Sequence, residues 1–102
     1  MSQDLNPAIW PMSARRVNGE ITIGDISVSD LADEFETPSF ILDESDFKAR
    51  ASIWAKALQE AFGANAGTAY YAAKSFISTQ VASWIEQAGL GLDVCTEGEL
   101  AV

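Results

Sequence analysis

From Ser39 onward the chain alternates short apolar runs with stretches of helical periodicity, which restricts it to the α/β class. Ser39 to Leu42 reads as a short buried strand. Asp43 stands as the N-cap of the longest helix, with Glu44 and Asp46 in the first turn complementing its dipole. Phe47, Ala51, Trp54, Leu58 and Phe62 recur at steps of four, three, four and four, giving one apolar stripe, and Gly63 ends the helix. Thr68 to Ala73 is an apolar and aromatic run of strand length, expected to be covered on both faces, with Lys74 at its C-terminal end. Ser78 caps a second helix carrying Val81, Trp84, Ile85 and Ala88 on one face, closed by Gly89 at C′. Leu92 to Cys95 is a third buried strand. Each strand–helix–strand step is long enough for a right-handed crossover between parallel strands.

The segment before this portion has a different character. Met1 to Asn18 reads as irregular, with Pro7 and Pro11 flanking a Trp10 that suits a packing anchor better than a ligand-stacking ring. From Gly19 the pattern alternates: Ile21 and Ile23 share one face, Thr22 takes the other, and Gly24 closes the strand. Ser29 offers an N-cap to a short helix with Leu31, Ala32 and Phe35 on one side. Thr37-Pro38 ends it, because the residue before proline is pushed out of the α region. The expected division is an N-terminal β-containing arm over 1–37 and an α/β portion over 38–102.

At the other end, Thr96 and Glu99 form the T-x-x-E capping box that opens a helix, and Leu100 to Val102 supply its first apolar residues. One and a half turns contain too few hydrogen bonds to offset nucleation, so the expectation is a chain cut one turn into a helix. The 102 residues suit one small domain and fall far short of the about 250 of a complete (β/α)8 barrel.

Charge and composition narrow the chemistry. An apolar fraction of 48% excludes a disordered tail, and no apolar run approaches the roughly 20 residues that span a bilayer. Six basic against fifteen acidic residues give a net charge of −9, with no basic footprint for nucleic acid or an anionic membrane. The single cysteine, Cys95, reads as a small buried strand residue; with no basic and apolar leader at the N-terminus it favours a cytoplasmic protein. Histidine is absent, which removes Ser-His and Cys-His nucleophiles and His-ligated zinc from this chain, and no metal site is expected. Chemistry here must use lysine, carboxylates, tyrosine, hydroxyls or a cofactor.

Lys74 is the residue that could carry it. The C-terminal ends of parallel strands are where catalytic groups gather, and an amine in an apolar setting can attack an aldehyde. The plain alternative is a strand-end lysine that reaches solvent. Residue pattern alone leaves both open.

The motifs decide between them by resemblance. Tyr71-Ala72-Ala73-Lys74-Ser75-Phe76 resembles the Y-A-x-K signature of the alanine-racemase-fold, pyridoxal-phosphate-dependent decarboxylases, within that group most closely the diaminopimelate decarboxylases. Leu31-Ala32-Asp33-Glu34-Phe35 followed by Thr37-Pro38-Ser39-Phe40-Ile41-Leu42-Asp43-Glu44 resembles the family's L-A-E-E-x-G-T-P-L-x-V-x-D-E entry into the barrel. Gly91-Leu92-Asp93-Val94-Cys95-Thr96 with Gly98-Glu99-Leu100 is similar to its G-x-x-x-D-V-x-S/T-G-G-E-L segment, and Trp10-Pro11 followed by Gly24 to the arm of actinobacterial members.

The resemblance covers essentially the whole chain and implies the start of a pyridoxal-phosphate-binding (β/α)8 barrel, preceded by an arm that belongs partly to a β-domain. It implies that Lys74 forms the Schiff-base link to pyridoxal 5'-phosphate, that Asp93 lies close to lysine and cofactor in an electrostatic or orienting role, and that the full-length enzyme is a homodimer converting meso-diaminopimelate to L-lysine and CO2. For Asp93 the alternative is a helix-preceding carboxylate bonded to backbone. The fragment alone is expected to be inactive, because the family's phosphate loops, the carboxylate facing the pyridine nitrogen and a partner-subunit cysteine come later, and Cys95 does not match that cysteine's motif. Two positions depart from the pattern: Glu36 replaces a glycine before Thr37-Pro38, and Glu97 replaces the first glycine of G-G-E-L. Rival readings are a non-catalytic pyridoxal-phosphate-binding homologue, an ornithine or arginine decarboxylase, and an acidic interaction domain.

Overall fold

The computed structural model describes residues 5–65 and 67–102. The chain divides into two compact units, Met1–Phe47 and Lys48–Val102.

In the first unit, β1 (Arg15–Val17), β2 (Glu20–Ile23) and β3 (Ile26–Ser27) form an antiparallel sheet in sequence order. Both connections are two-residue turns: Val17 pairs with Glu20 around Asn18-Gly19, and Ile23 with Ile26 around Gly24-Asp25. All four turn residues have positive φ (51, 82, 58 and 64°), the conformation that joins right-twisted antiparallel strands most tightly and that Asn, Asp and Gly tolerate. Only the middle strand was expected; β1 lies in the segment read as irregular.

Helix α1 (Val28–Phe35) follows without a break. Its N-cap is Ser27 rather than Ser29: the Ser27 hydroxyl accepts from the amides of Ser29 at 3.1 Å and Asp30 at 3.3 Å. The helix starts earlier because Ser27 is itself held, donating its hydroxyl proton to Glu20 Oε1 at 2.6 Å. That bond, first among its causes, lowers the Glu20 carboxyl below its ordinary range.

The strand expected over Ser39 to Leu42 is absent. These residues have no ladder partner among the described residues, and Phe40 is 99% exposed. Instead Phe40 and Ile41 border an apolar hollow of about 520 Å³ against Leu31, Ala32 and Phe35 of α1. A strand needs a neighbour for its amides and carbonyls, and the local sheet offers none here.

Asp43 caps α2 (Glu44–Phe62) as expected, accepting from the Asp46 amide at 3.1 Å. The same carboxylate accepts from the Ser13 hydroxyl, while Ser13 Oγ accepts from the Gly24 amide at 2.8 Å and Asp46 Oδ1 from the Met12 amide at 2.9 Å. The start of α2 is thereby tied to the hairpin sheet. Gly63 ends the helix at φ +90°, its amide bonded to Gln59 O at 2.8 Å.

The second unit has its core at Ala51, Ala73, Val81, Trp84 and Ile85, all buried. The stripe on α2 is only half correct. Ala51 is buried and Leu58 half-buried, but Trp54 is 67% and Phe62 73% exposed, because the covered face turns toward Ala55 instead. Lys48 Nζ sits 5.8 Å from the centroid of the Trp84 ring, a cation–π distance.

β4 (Tyr70–Ala72) and β5 (Gly91–Asp93) pair in parallel, with α3 (Thr79–Gln87) between them in sequence. Both strands are shorter and less covered than expected: Tyr70 is 69% exposed and Leu92 lies at the surface. Helix α3 matches expectation closely. Ser78 accepts from the Val81 amide at 3.2 Å, and Gly89 takes φ +76°. The Gly89 amide reaches Glu86 O at 3.0 Å and the Leu90 amide reaches Ile85 O at 3.1 Å, the paired bonds of a Schellman motif. The last element is α4 (Glu97–Ala101), capped by Thr96.

Candidate active site

The ladder register places the two singled-out side chains. Tyr70 pairs with Gly91, Tyr71 with Leu92 and Ala72 with Asp93, so β4 and β5 end together. Directly after Ala72 the chain enters a single 3-10 turn, Ala73–Ser75, which buries Ala73 and leaves Lys74 exposed. The turn is pinned from beneath: Ser75 Oγ lies 2.8 Å from Ala72 O and 3.0 Å from Tyr71 Oη, and Tyr71 donates to Phe76 O at 2.7 Å. The hydroxyl protons of Ser75 and Tyr71 thus tie down the backbone that presents the amine. The lysine is not enclosed by apolar side chains of its own segment; its setting is the open edge of a parallel pair.

Asp93, exposed, ends β5 opposite Ala72, two residues before the lysine. Both side chains therefore leave the sheet at its C-terminal edge, where ligands gather in parallel α/β sheets. The opposite edge differs in kind. There a hollow of about 230 Å³ is lined by residues such as Leu58, Gln59, Thr68, Ala88 and Leu90, none of them titratable. The titratable side chains of the strand ends, Lys74 and Asp93, stand at the lysine edge.

Cys95 is exposed and lies beyond β5, correcting the buried-strand expectation. The ladder stops at Asp93 because its partner has already turned at Ala73, so the Cys95 amide finds another acceptor, Glu99 Oε2, at 2.9 Å. Thr96 Oγ1 in turn accepts from the Glu99 amide at 3.1 Å, completing the expected reciprocal cap one residue longer than its usual form. The Cys95 amide above all, then Thr96, and last the charge of Lys74 hold the Glu99 carboxyl below the ordinary glutamate range. Its Oε1 is buried with no hydrogen-bond partner. The sequence spacing marks Glu99 only as a cap; its position six residues after Asp93 is the signal that places it near the same strand end.

The two departures have separate outcomes. Glu97 is the first residue of α4, where a carboxylate suits the helix dipole and the backbone is helical. Glu36 stands at φ 66°, ψ 171°, a conformation that favours glycine, so the glycine expected from the family pattern has a backbone reason.

A chain that ends two parallel strands beside an exposed lysine and two carboxylates was compared with known proteins. No family model matches it. Diaminopimelate decarboxylase of Mycobacterium bovis is 46% identical over 99 residues, 96% of this chain and 21% of that protein. The protein of the same name from Corynebacterium efficiens is 38% identical over 97% of the chain, and that from Synechocystis 35% identical over 93%. The chain spans about a fifth of the length of these curated relatives. Along nearly its whole length, therefore, this chain is homologous to part of the diaminopimelate decarboxylases.

Proposed function

We propose that this chain is the N-terminal part of a cytoplasmic, homodimeric decarboxylase that converts meso-diaminopimelate to L-lysine and CO2 with pyridoxal 5'-phosphate. The observation that carries this reading is the placement of Lys74 at the end of β4, with Asp93 at the matching end of the parallel β5. The homologues' shared name supports the same chemistry.

The residues fit the cofactor's reactive end. An exposed primary amine on a pinned turn is the nucleophile an aldehyde requires. Lys74 would hold pyridoxal phosphate through that amine, and Asp93 would orient the lysine and the group beside it. When bound, the cofactor supplies an electron sink for the charge left when the α-carboxylate departs. With its amine unengaged, Lys74 would hold a proton on Nζ at this strand end and could give it up there.

We further propose a (β/α)8 barrel as the setting, with 1–37 contributing to a separate β-domain and 38–102 opening the barrel. The parallel β4–α3–β5 unit supports this, as does the apolar surface of Trp54, Phe62 and Leu92, which further strands and helices of a barrel would cover. The test is a radiometric or coupled assay of the full-length protein on meso-diaminopimelate. Stoichiometric CO2 and L-lysine are expected, and loss of both in Lys74→Ala. Turnover of ornithine or arginine instead would replace the substrate; turnover by residues 1–102 alone would refute the need for later phosphate-binding segments.

A further inference from the structure

Lys74 sits on a backbone segment with little of its own to hold it. Ala73–Ser75 is a single 3-10 turn, and Ala72 at its N-cap makes no side-chain capping bond. One such turn has few hydrogen bonds, of poorer geometry than those of an α-helix, and frays readily. Burial of Ala73, 2% exposed, anchors its first residue. Phe76, just past its end, returns to extended backbone at φ −176°.

Two hydroxyls secure the rest. Tyr71, half-buried on β4, donates its phenol proton to Phe76 O at 2.7 Å, a bond that spans the turn from before its start to past its end. With that proton committed, Tyr71 Oη can only accept from Ser75 Oγ, which lies 3.0 Å away. Ser75 shares its one proton between Tyr71 Oη and Ala72 O, the latter at 2.8 Å. The phenol oxygen is therefore where strand, turn and following segment are joined, on both sides of Lys74.

We propose that Tyr71 is a positioning residue for Lys74: its hydroxyl, with that of Ser75, clamps the turn and so fixes where the lysine amine meets an aldehyde. This rests on Lys74 being the cofactor-bearing lysine. The lysine stem is flexible, so the amine is held at the strand end only as well as its Cα is. A loosened turn spreads the amine over more space and weakens its link to a bound aldehyde. Tyr71 acts through the backbone and not by proton transfer, because its proton is committed to a carbonyl.

The test reads the link at Lys74 and not turnover. Full-length protein freed of cofactor is titrated with pyridoxal 5'-phosphate, reduced with borohydride and digested. The fraction of Lys74 carrying phosphopyridoxyl, quantified by mass spectrometry, gives a half-saturating concentration. Tyr71→Phe keeps the ring and should raise that concentration about fivefold, the effect of one lost hydrogen bond. Ser75→Ala should raise it by a similar factor, and Ser75→Thr, which keeps a hydroxyl, should leave it at the wild-type value. Ser27→Ala removes the α1 cap in the first unit and serves as a control for stability alone; it should leave half-saturation unchanged. An unmoved half-saturation in Y71F overturns the proposal, as does an equal rise in S27A. If Y71F does not fold, the exposed Ser75 still decides: equal values for S75A and S75T overturn the clamp. Failure of the underlying reading is separate: it appears as no pyridoxyl label on Lys74 of the wild type at any concentration.

Discussion

Ala72 and Asp93 are the last pair of the parallel ladder, so the lysine turn and the aspartate leave the sheet side by side. Asp93→Asn keeps the size and the strand while removing the charge. In the full-length enzyme it should lower kcat about tenfold, corresponding to ~1.4 kcal/mol of barrier, with little change in melting temperature. Steady-state kinetics beside a thermal melt check this; unchanged kcat would assign Asp93 to the backbone alone.

The Tyr70 ring lies over Gly91, its partner across the ladder: a Cβ at Gly91 would stand 2.5 Å from Tyr70 Cε1. Gly91→Ala should destabilise by about 0.5–1 kcal/mol, the exposed ring being displaced rather than crushed. In a Tyr70→Ala background the same change should be neutral or stabilising, since Ala has less entropy to lose than Gly. Urea unfolding of the four proteins in the cycle measures the coupling.

Glu36 adopts φ 66° at the C-terminus of α1. Glu36→Gly should stabilise by about 1 kcal/mol, the relief of a left-handed conformation outweighing the added freedom of the unfolded chain. A loss of stability in denaturant titration would mean that Glu36 makes a contact worth more than that relief.

Asp43 is held below its ordinary value of 3.8 chiefly by the Ser13 hydroxyl, against a smaller opposing effect of burial. A depressed carboxyl contributes stability above its unfolded value and loses it as pH falls through the folded one. Ser13→Ala should therefore cost about 0.5–1 kcal/mol above pH ~4, after allowing for solvent screening, and progressively less below it. Unfolding curves at several pH values test the trend; a penalty constant down to acid pH would contradict it.

Local chemistry was legible wherever neighbouring residues suffice. Ser78 with Gly89, Asp43 with Asp46, and Thr96 with Glu99 all cap as their types and spacing require, because a cap needs only a hydroxyl or carboxylate and one turn of helix. Asn18-Gly19 and Gly24-Asp25 carry an equally local turn signal, and the first of them is what implies β1. Ser39 to Leu42 failed for the opposite reason: apolar content fits a strand, but pairing depends on a partner far away in sequence. Trp54 and Phe62 failed likewise, since periodicity marks an apolar face without saying what covers it. At the site, Lys74 and Asp93 stood out as strand-end residues, whereas the buried oxygen of Glu99 is a tertiary fact.

The central claim is that Lys74 carries the cofactor, and its most direct measurement is reductive trapping. Full-length protein is incubated with pyridoxal 5'-phosphate, reduced with borohydride, digested and mapped. A phosphopyridoxyl group on Lys74, at about one per chain and absent from Lys48 and Lys56, is the result this account predicts. A label spread over surface lysines, or a modified lysine elsewhere with Lys74 untouched, would contradict it.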